Sequence, residues 1–75
     1  PRDIFMEALK YGAVYIILVH NHPSGDCTPS NNDLQCTAQL FNAGKLMGIP
    51  LIDHIIIGDN NYYSFKENEL LRKDN

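Results

Sequence analysis

The sequence lacks the features that mark membrane-spanning and disulfide-stapled proteins. No apolar run approaches the roughly 18 residues that a membrane-spanning helix needs. Only two cysteines occur, Cys27 and Cys36, and their spacing matches neither a C-x-x-C pair nor a zinc ribbon. We interpret them as free thiols in a reducing cytoplasm, and the alternative makes Cys27 an extra metal ligand or a redox group. The sequence therefore predicts a cytoplasmic protein that has no membrane span.

Basic residues are also scarce. Six lysines and arginines stand against nine acidic residues, which gives a net charge of −3 and a pI of about 5.4. A surface that binds nucleic acid needs a basic stripe, so we do not expect this portion to contact nucleic acid directly. The 75 residues allow one domain at most, and an apolar fraction of 44% is close to that of ordinary globular proteins.

The first third of the chain predicts a helix followed by a strand. Arg2–Lys10 carries apolar residues at helical spacing, and Gly12 is suited to the position just past the helix end. Seven consecutive apolar residues then run from Ala13 to Val19. Such a run predicts a strand that is covered on both faces in the middle of a sheet, with Ile16 and Leu18 nearly inaccessible.

A second helix is predicted to start at Thr28 or Ser30 and to end at Gly48. Ser30 followed three residues later by Asp33 has the pattern of a capping box. The expected apolar face of this helix comprises Leu34, Ala38, Leu40, Phe41, Ala43 and Met47.

The remainder predicts a hairpin and a short helix. Leu51–Ile57 forms one strand, Gly58–Asn61 the loop, and the residues from Tyr62 to Phe65 the returning strand. Lys66 to Arg72 is expected to be helical, and residues 73–75 to be a frayed end. The predicted order is α-β-α-β-β-α, and helices on both faces of the sheet would give an α/β fold with three α/β/α layers.

One stretch carries chemistry. His20 and His22 flank a single residue, so their side chains point the same way from extended backbone, and Asp33 follows in the first turn of the next helix. Two imidazoles and one carboxylate make a zinc ligand set with the fourth tetrahedral position open. The alternative is that Ser30 and Asp33 only cap the helix.

These residues resemble the JAMM (MPN+) metallopeptidase motif: an upstream Glu, His-x-His, ten residues, then Asp, with a Ser three before it. Within that group, His20 to Asp26 and Gly48 to Gly58 resemble the bacterial RadC family. The resemblance implies a cytidine-deaminase-like fold, with residues 1–75 as the C-terminal part of one RadC-like domain that lacks its N-terminal strands. It also implies Zn²⁺ bound by His20, His22 and Asp33, and a catalytic Ser30 that hydrogen-bonds the oxyanion.

Several residues near the motif have two interpretations. Hydrolysis needs a general base, but Glu7 lies in the first predicted helix, so the resemblance implies a Glu upstream of the sequence. Gly25 is expected to adopt a positive φ or to allow a close approach to substrate. Asp26 is either an acceptor for a ligand imidazole or an Asx-turn residue. Asp53 and His54 form a polar pair at a strand end, or His54 supports the active site.

The preferred hypothesis is a zinc metallopeptidase that cleaves amide bonds in an unidentified peptide or protein. The alternative, which the RadC resemblance implies, is a protein associated with DNA repair that acts as a nucleic-acid-linked or protein-interaction module without peptidase activity.

Overall fold

A computed structural model describes residues 2–71. The elements are α1 (Arg2–Lys10), β1 (Ile16–Asn21), α2 (Asn31–Met47), β2 (Leu51–Ile57) and β3 (Tyr62–Ser64). The predicted order of these five elements is confirmed, as are the bounds of α1 and β2. None of the described helices is long and apolar enough to cross a bilayer.

The three strands form one mixed sheet in the order β1-β2-β3. β1 runs parallel to β2, which requires a crossover connection, and α2 supplies it. β2 and β3 are antiparallel and form the predicted hairpin. Leu18 pairs with His54 and His20 pairs with Ile56, so these side chains lie on one face of the sheet.

Both helices cover that face. The buried core cluster joins α1 to α2 and β2, and Ile16 and Leu18 of β1 pack against it. Its buried members are Phe5, Ala8, Leu40, Ile49 and Leu51. Among residues 2–71 the sheet is therefore covered by helices on one face, and the expected helices on both faces are not found.

The prediction that β1 is buried on both faces in the middle of the sheet is wrong as far as residues 2–71 are concerned. Within the described part of the chain β1 pairs only with β2, and its burial alternates along the strand. Ile17 and Val19 are 48% and 57% exposed, and Ile16 and Leu18 are half-buried rather than inaccessible. The apolar run fits a strand with two covered faces, but the described part of the chain supplies cover for only one.

The buried face of α2 matches the prediction in part, because Leu40 is buried and Phe41 and Ala43 pack against the core. Its fully buried residues are Thr37, Leu40 and Gly44, whereas Leu34, Ala38 and Met47 are exposed. A Cβ at Gly44 would lie 2.6 Å from the carbonyl oxygen of Ile49, so the chain entering β2 packs directly on the helix backbone. This face therefore combines the apolar side chain of Leu40 with the buried hydroxyl of Thr37 and the close backbone approach at Gly44.

The predicted helix from Lys66 to Arg72 is wrong where the chain is described. Turns follow β3, and Glu69 adopts a φ of 61°, which a helix does not allow. The side chain of Asp53 accepts a hydrogen bond from the backbone N–H of Lys66 at 3.0 Å, and the Ser64 hydroxyl accepts one from Glu67 at 3.1 Å. Arg72 and the expected frayed end lie outside the described residues.

Candidate metal centre

The end of β1 carries the two histidines of the motif. The backbone N–H of His22 donates to the carbonyl oxygen of Ile57 at 3.0 Å, which extends the parallel pairing one residue beyond the strand. This extension holds both imidazoles on the helix-covered side of the sheet, with ring centroids 5.0 Å apart. One ligand atom each from His20, His22 and Asp33 lies within 4.8 Å of the others. The structure thus brings together the three residues predicted to be ligands.

Asp33 reaches the histidines from the first turn of α2. Ser30 is the N-cap, its hydroxyl accepts from the Asp33 backbone N–H at 3.0 Å, and its own N–H donates to Oδ2 of Asp33 at 2.8 Å. The same Oδ2 lies 3.0 Å from Nε2 of His22, and Oδ1 lies 3.4 Å from Nε2 of His20. Capping and approach to the histidines are therefore compatible, because the capping box fixes the direction of the carboxylate.

The surroundings of Asp33 favour its charged form. Burial, the largest single influence, acts to raise the pKa of this carboxyl. The hydrogen bonds of Ser30 and the neighbouring His20 and His22 oppose it, and together they hold the pKa below its ordinary value. An ionised carboxylate is the form that binds a metal ion.

The tautomer of His22 is set by the loop. Its Nδ1 lies 2.9 Å from the backbone carbonyl oxygen of Asp26, which can only accept, so Nδ1 carries the proton. In the neutral ring Nε2 then holds a lone pair and faces the Asp33 carboxylate at 3.0 Å. Two electron-rich atoms this close need a cation between them, either a proton or a metal ion. The donor set therefore fits a metal.

Asp26 itself behaves as a turn residue. Its Oδ1 accepts from the backbone N–H of Thr28 at 2.9 Å, which is the Asx-turn pattern predicted as one alternative. Hydrogen bonds from the backbone and side chain of Thr28 lower the pKa of the Asp26 carboxyl. The other alternative holds only for the backbone, because the carbonyl of Asp26, not its carboxylate, receives the imidazole proton of His22.

His54 joins the centre from β2. Its ring is 3% exposed, stacks on Phe65 and contacts Nδ1 of His20 through Nε2 at 2.9 Å. Its Nδ1 lies 2.6 Å from the hydroxyl of Thr37. Burial, followed by the neighbouring His20, lowers the pKa of His54, so the neutral imidazole is favoured. The sequence left a supporting role for His54 open, but it gave no sign of Thr37.

Asp53 points to the opposite side of the sheet from His54, as the alternation along a strand predicts. Its carboxylate accepts from the hydroxyl of Ser64 at 2.6 Å and from the backbone of Lys66. Asp53 therefore anchors the turns after β3 and lies outside the histidine cluster.

Two other residues considered from the sequence stay outside the cluster. Among residues 2–71, the group able to hold a metal consists of His20, His22 and Asp33 and does not include Cys27. Both cysteines are free thiols. Glu7 is an exposed residue of α1, as predicted.

The loop after β1 is clamped against the hairpin loop. Gly25 adopts the predicted positive φ, 85°, and its carbonyl oxygen accepts from the backbone N–H of Asp59 at 2.9 Å. A Cβ at Gly25 would lie 2.5 Å from Oδ2 of Asp59, and one at Gly58 would collide with the Gly25 carbonyl. The loop that carries His22 is thus fixed by close backbone contact.

These features define a small mixed α/β domain with a candidate His/His/Asp metal centre at the end of a parallel strand. The family model of the RadC-like JAB domain matches residues 1–70. This chain belongs to the RadC-like JAB domain family.

Similar proteins occur in several bacteria. A UPF0758 protein of Alkaliphilus metalliredigens is 56% identical over 71 residues, which cover 95% of this chain and 31% of that protein. A UPF0758 protein of Clostridium botulinum is 58% identical over 67 residues, or 89% of this chain and 29% of its own length. A UPF0758 protein of Protochlamydia amoebophila is 53% identical over 73 residues, which cover 97% of this chain and 32% of that protein. The chain thus spans about a third of the length of the curated relatives it matches.

Proposed function

We propose that the centre binds Zn²⁺ and that the protein to which it belongs is a metallopeptidase that hydrolyses amide bonds. The observation that carries this proposal is the convergence of three ligand atoms within 4.8 Å, with Nε2 of His22 turned toward the Asp33 carboxylate. Two nitrogen ligands and one oxygen ligand suit zinc, and three protein ligands leave a fourth position for water or substrate, as in catalytic zinc sites.

Bound zinc would lower the pKa of a coordinated water and polarise a substrate carbonyl. Ser30 would supply a hydrogen bond to the substrate beside the metal. Its oxygen accepts from the Asp33 backbone N–H, and this leaves the hydroxyl proton available for the oxygen that becomes negative during amide hydrolysis. We therefore assign Ser30 a catalytic role in addition to its role as helix cap.

A general base is also required. Among the described residues, the ligand cluster contains one carboxylate, Asp33, and it faces the imidazoles. We propose that the base is a Glu outside residues 1–75, as the resemblance to the JAMM motif implies. Proton transfer of this kind contributes roughly 10²- to 10⁴-fold to rate, so residues 1–75 alone should bind zinc but hydrolyse amides poorly or not at all.

The exposed face of the sheet bears on the rest of the domain. Ile17, Val19 and Ile57 are between 41% and 57% exposed on one side of β1 and β2. Since this chain spans about a third of its relatives, we propose that other parts of the longer protein cover this face and complete a three-layer α/β/α domain of the cytidine-deaminase-like type.

The proposed substrate is a peptide or protein, and the proposed location is the cytoplasm, where free Cys27 and Cys36 would remain reduced. Direct binding of nucleic acid is not part of the proposal, because the net charge of the chain is −3.

Zinc analysis and a peptide-cleavage assay test the proposal together. The full-length protein should hold about one zinc per chain, which His22→Ala and Asp33→Ala should remove. Glu7→Gln, which removes a carboxylate from an exposed position of α1, is the matched control and should retain zinc. Equal zinc in wild type and Asp33→Ala would refute the ligand assignment. A zinc-loaded full-length protein that cleaves no member of a peptide library would refute the peptidase assignment and favour an interaction module.

A further inference from the structure

A closed circuit of polar contacts links two residues of the metal centre to His54 and Thr37. It leads from the backbone carbonyl of Asp33 to the hydroxyl of Thr37 at 2.6 Å, then to Nδ1 of His54 at 2.6 Å, and from Nε2 of His54 to Nδ1 of His20 at 2.9 Å. Nε2 of His20 closes the circuit, 3.4 Å from Oδ1 of Asp33. Two members of the circuit, Asp33 and His20, belong to the proposed ligand set.

The chemistry of its members fixes the direction of every proton. A backbone carbonyl can only accept, so the Thr37 hydroxyl donates to Asp33 and must accept from His54. Nδ1 of His54 therefore carries a proton, and Nε2 of the neutral ring carries a lone pair. That lone pair can accept only from Nδ1–H of His20, which leaves Nε2 of the neutral His20 ring without a proton.

The surroundings prevent His54 from turning out of this arrangement. The ring is stacked on Phe65, with centroids 4.8 Å apart and planes 9° from parallel. Thr37 and His54 are 2% and 3% exposed, so water cannot readily replace either partner. Unpaired polar atoms at such depth are costly, which favours the fully hydrogen-bonded circuit over alternatives.

We propose that His54 is a positioning residue, held by Thr37, that keeps His20 in its Nδ1–H tautomer and aims the Nε2 lone pair at the metal. This inference rests on the proposed metal centre. His20 and His22 then differ in how their tautomers are set. Buried side chains determine the tautomer of His20, whereas a backbone carbonyl determines that of His22.

The tautomers can be measured by ¹⁵N NMR on metal-free full-length protein labelled at histidine. In the wild type, His20 should be the Nδ1–H tautomer. His54→Phe keeps an aromatic ring on Phe65 but removes the acceptor, so the Nε2–H form of His20 should appear. His22 is the internal control and should not change.

Zinc affinity gives a second readout. Loss of such a supporting partner typically weakens metal binding 10- to 100-fold, and we expect this rise in Kd for His54→Phe. Thr37→Val, nearly identical in shape, should weaken binding in the same direction, and Thr37→Ser, which keeps the hydroxyl, should restore wild-type affinity. Thr37→Val also guards against misfolding of the larger substitution.

Two results would overturn the inference: an Nε2–H tautomer of His20 in the wild type, or an unchanged His20 tautomer and zinc Kd in His54→Phe. If the wild type binds no zinc but its His20 tautomer responds to His54→Phe as expected, the positioning role stands and the proposed metal function fails.

Discussion

Oδ2 of Asp33 lies 3.0 Å from Nε2 of His22, although the two residues are eleven positions apart in the sequence. The same oxygen accepts from the backbone N–H of Ser30 at 2.8 Å. The capping box at the start of α2 therefore also orients a candidate ligand, and substitutions can separate the two roles.

Ser30→Ala should cost roughly 0.5–2 kcal/mol of unfolding free energy, because it removes the cap to the Asp33 backbone. It should nevertheless retain zinc, because Ser30 is not one of the proposed ligands. Asp33→Asn keeps an oxygen that can accept from Ser30 but loses the charge, so zinc should be lost with a smaller change in stability. Denaturation and zinc analysis of both variants make the test. Zinc loss in Ser30→Ala matching that in Asp33→Asn would contradict the separation.

Leu40→Ala should destabilise the protein by about 2–5 kcal/mol, because Leu40 is 1% exposed in the core beneath β1 and β2. Leu46 lies on the same helix but is 90% exposed, so Leu46→Ala should stay within about 0.5 kcal/mol of wild type. Urea denaturation of the pair measures the difference. Similar midpoints for both variants would show that the helix is packed differently.

Gly25→Ala should disturb the metal loop more than Gly12→Ala. Both glycines have positive φ, 85° and 65°, so each substitution carries a backbone penalty of roughly 1–2 kcal/mol. Only at Gly25 would the added Cβ also meet a side chain, Asp59; nothing lies within 4 Å at Gly12. Zinc Kd should therefore rise for Gly25→Ala and not for Gly12→Ala. Equal Kd values in the two variants would argue against the clamp.

Tyr62 should ionise above the usual range for tyrosine. Its hydroxyl donates to the carboxylate of Glu67, at 3.0 Å to Oε2, and this bond together with the negative charge of Glu67 raises the pKa of Tyr62 above 10.0. The protonated phenol is thus favoured in the fold, so this contribution to stability is complete below pH 10 and disappears as pH rises through the folded pKa.

Ultraviolet absorbance titration of wild type and Glu67→Gln checks this expectation. The difference between the curves should correspond to one tyrosine whose pKa falls in the variant. Superimposable curves would contradict the hydrogen bond between Tyr62 and Glu67, and with it the path of the turns after β3.

The candidate ligands were accessible to prediction because their geometry is local to short segments. Alternation along a strand puts His20 and His22 on one side, and the Ser30–Asp33 spacing identifies a helix start. The contact of His54 with His20 is different, because it joins residues 34 positions apart and depends on the register between β1 and β2. A shift in that register occurs between Ile16 and Ile17, and no pattern in the sequence indicates it.

The errors have physical causes as well. The apolar run in β1 correctly predicts a strand, but which faces are covered depends on what packs there, and the described residues cover one. The residues that follow β3 predict a helix because their composition suits one. Instead, the side chains of Asp53 and Ser64 accept hydrogen bonds from the backbone N–H groups of Lys66 and Glu67, and the chain forms turns.

The contact between Gly25 and the hairpin loop has a consequence for tolerance to insertion. Exposed hairpin loops are ordinarily the places where a chain accepts extra residues. Here the backbone of Asp59 is hydrogen-bonded to Gly25, three residues after His22, and Gly58 has no room for a side chain. Lengthening the loop at 58–61 would displace the backbone that holds the segment after His22. This exposed turn should therefore tolerate insertions poorly, because its position fixes a loop that carries a candidate ligand.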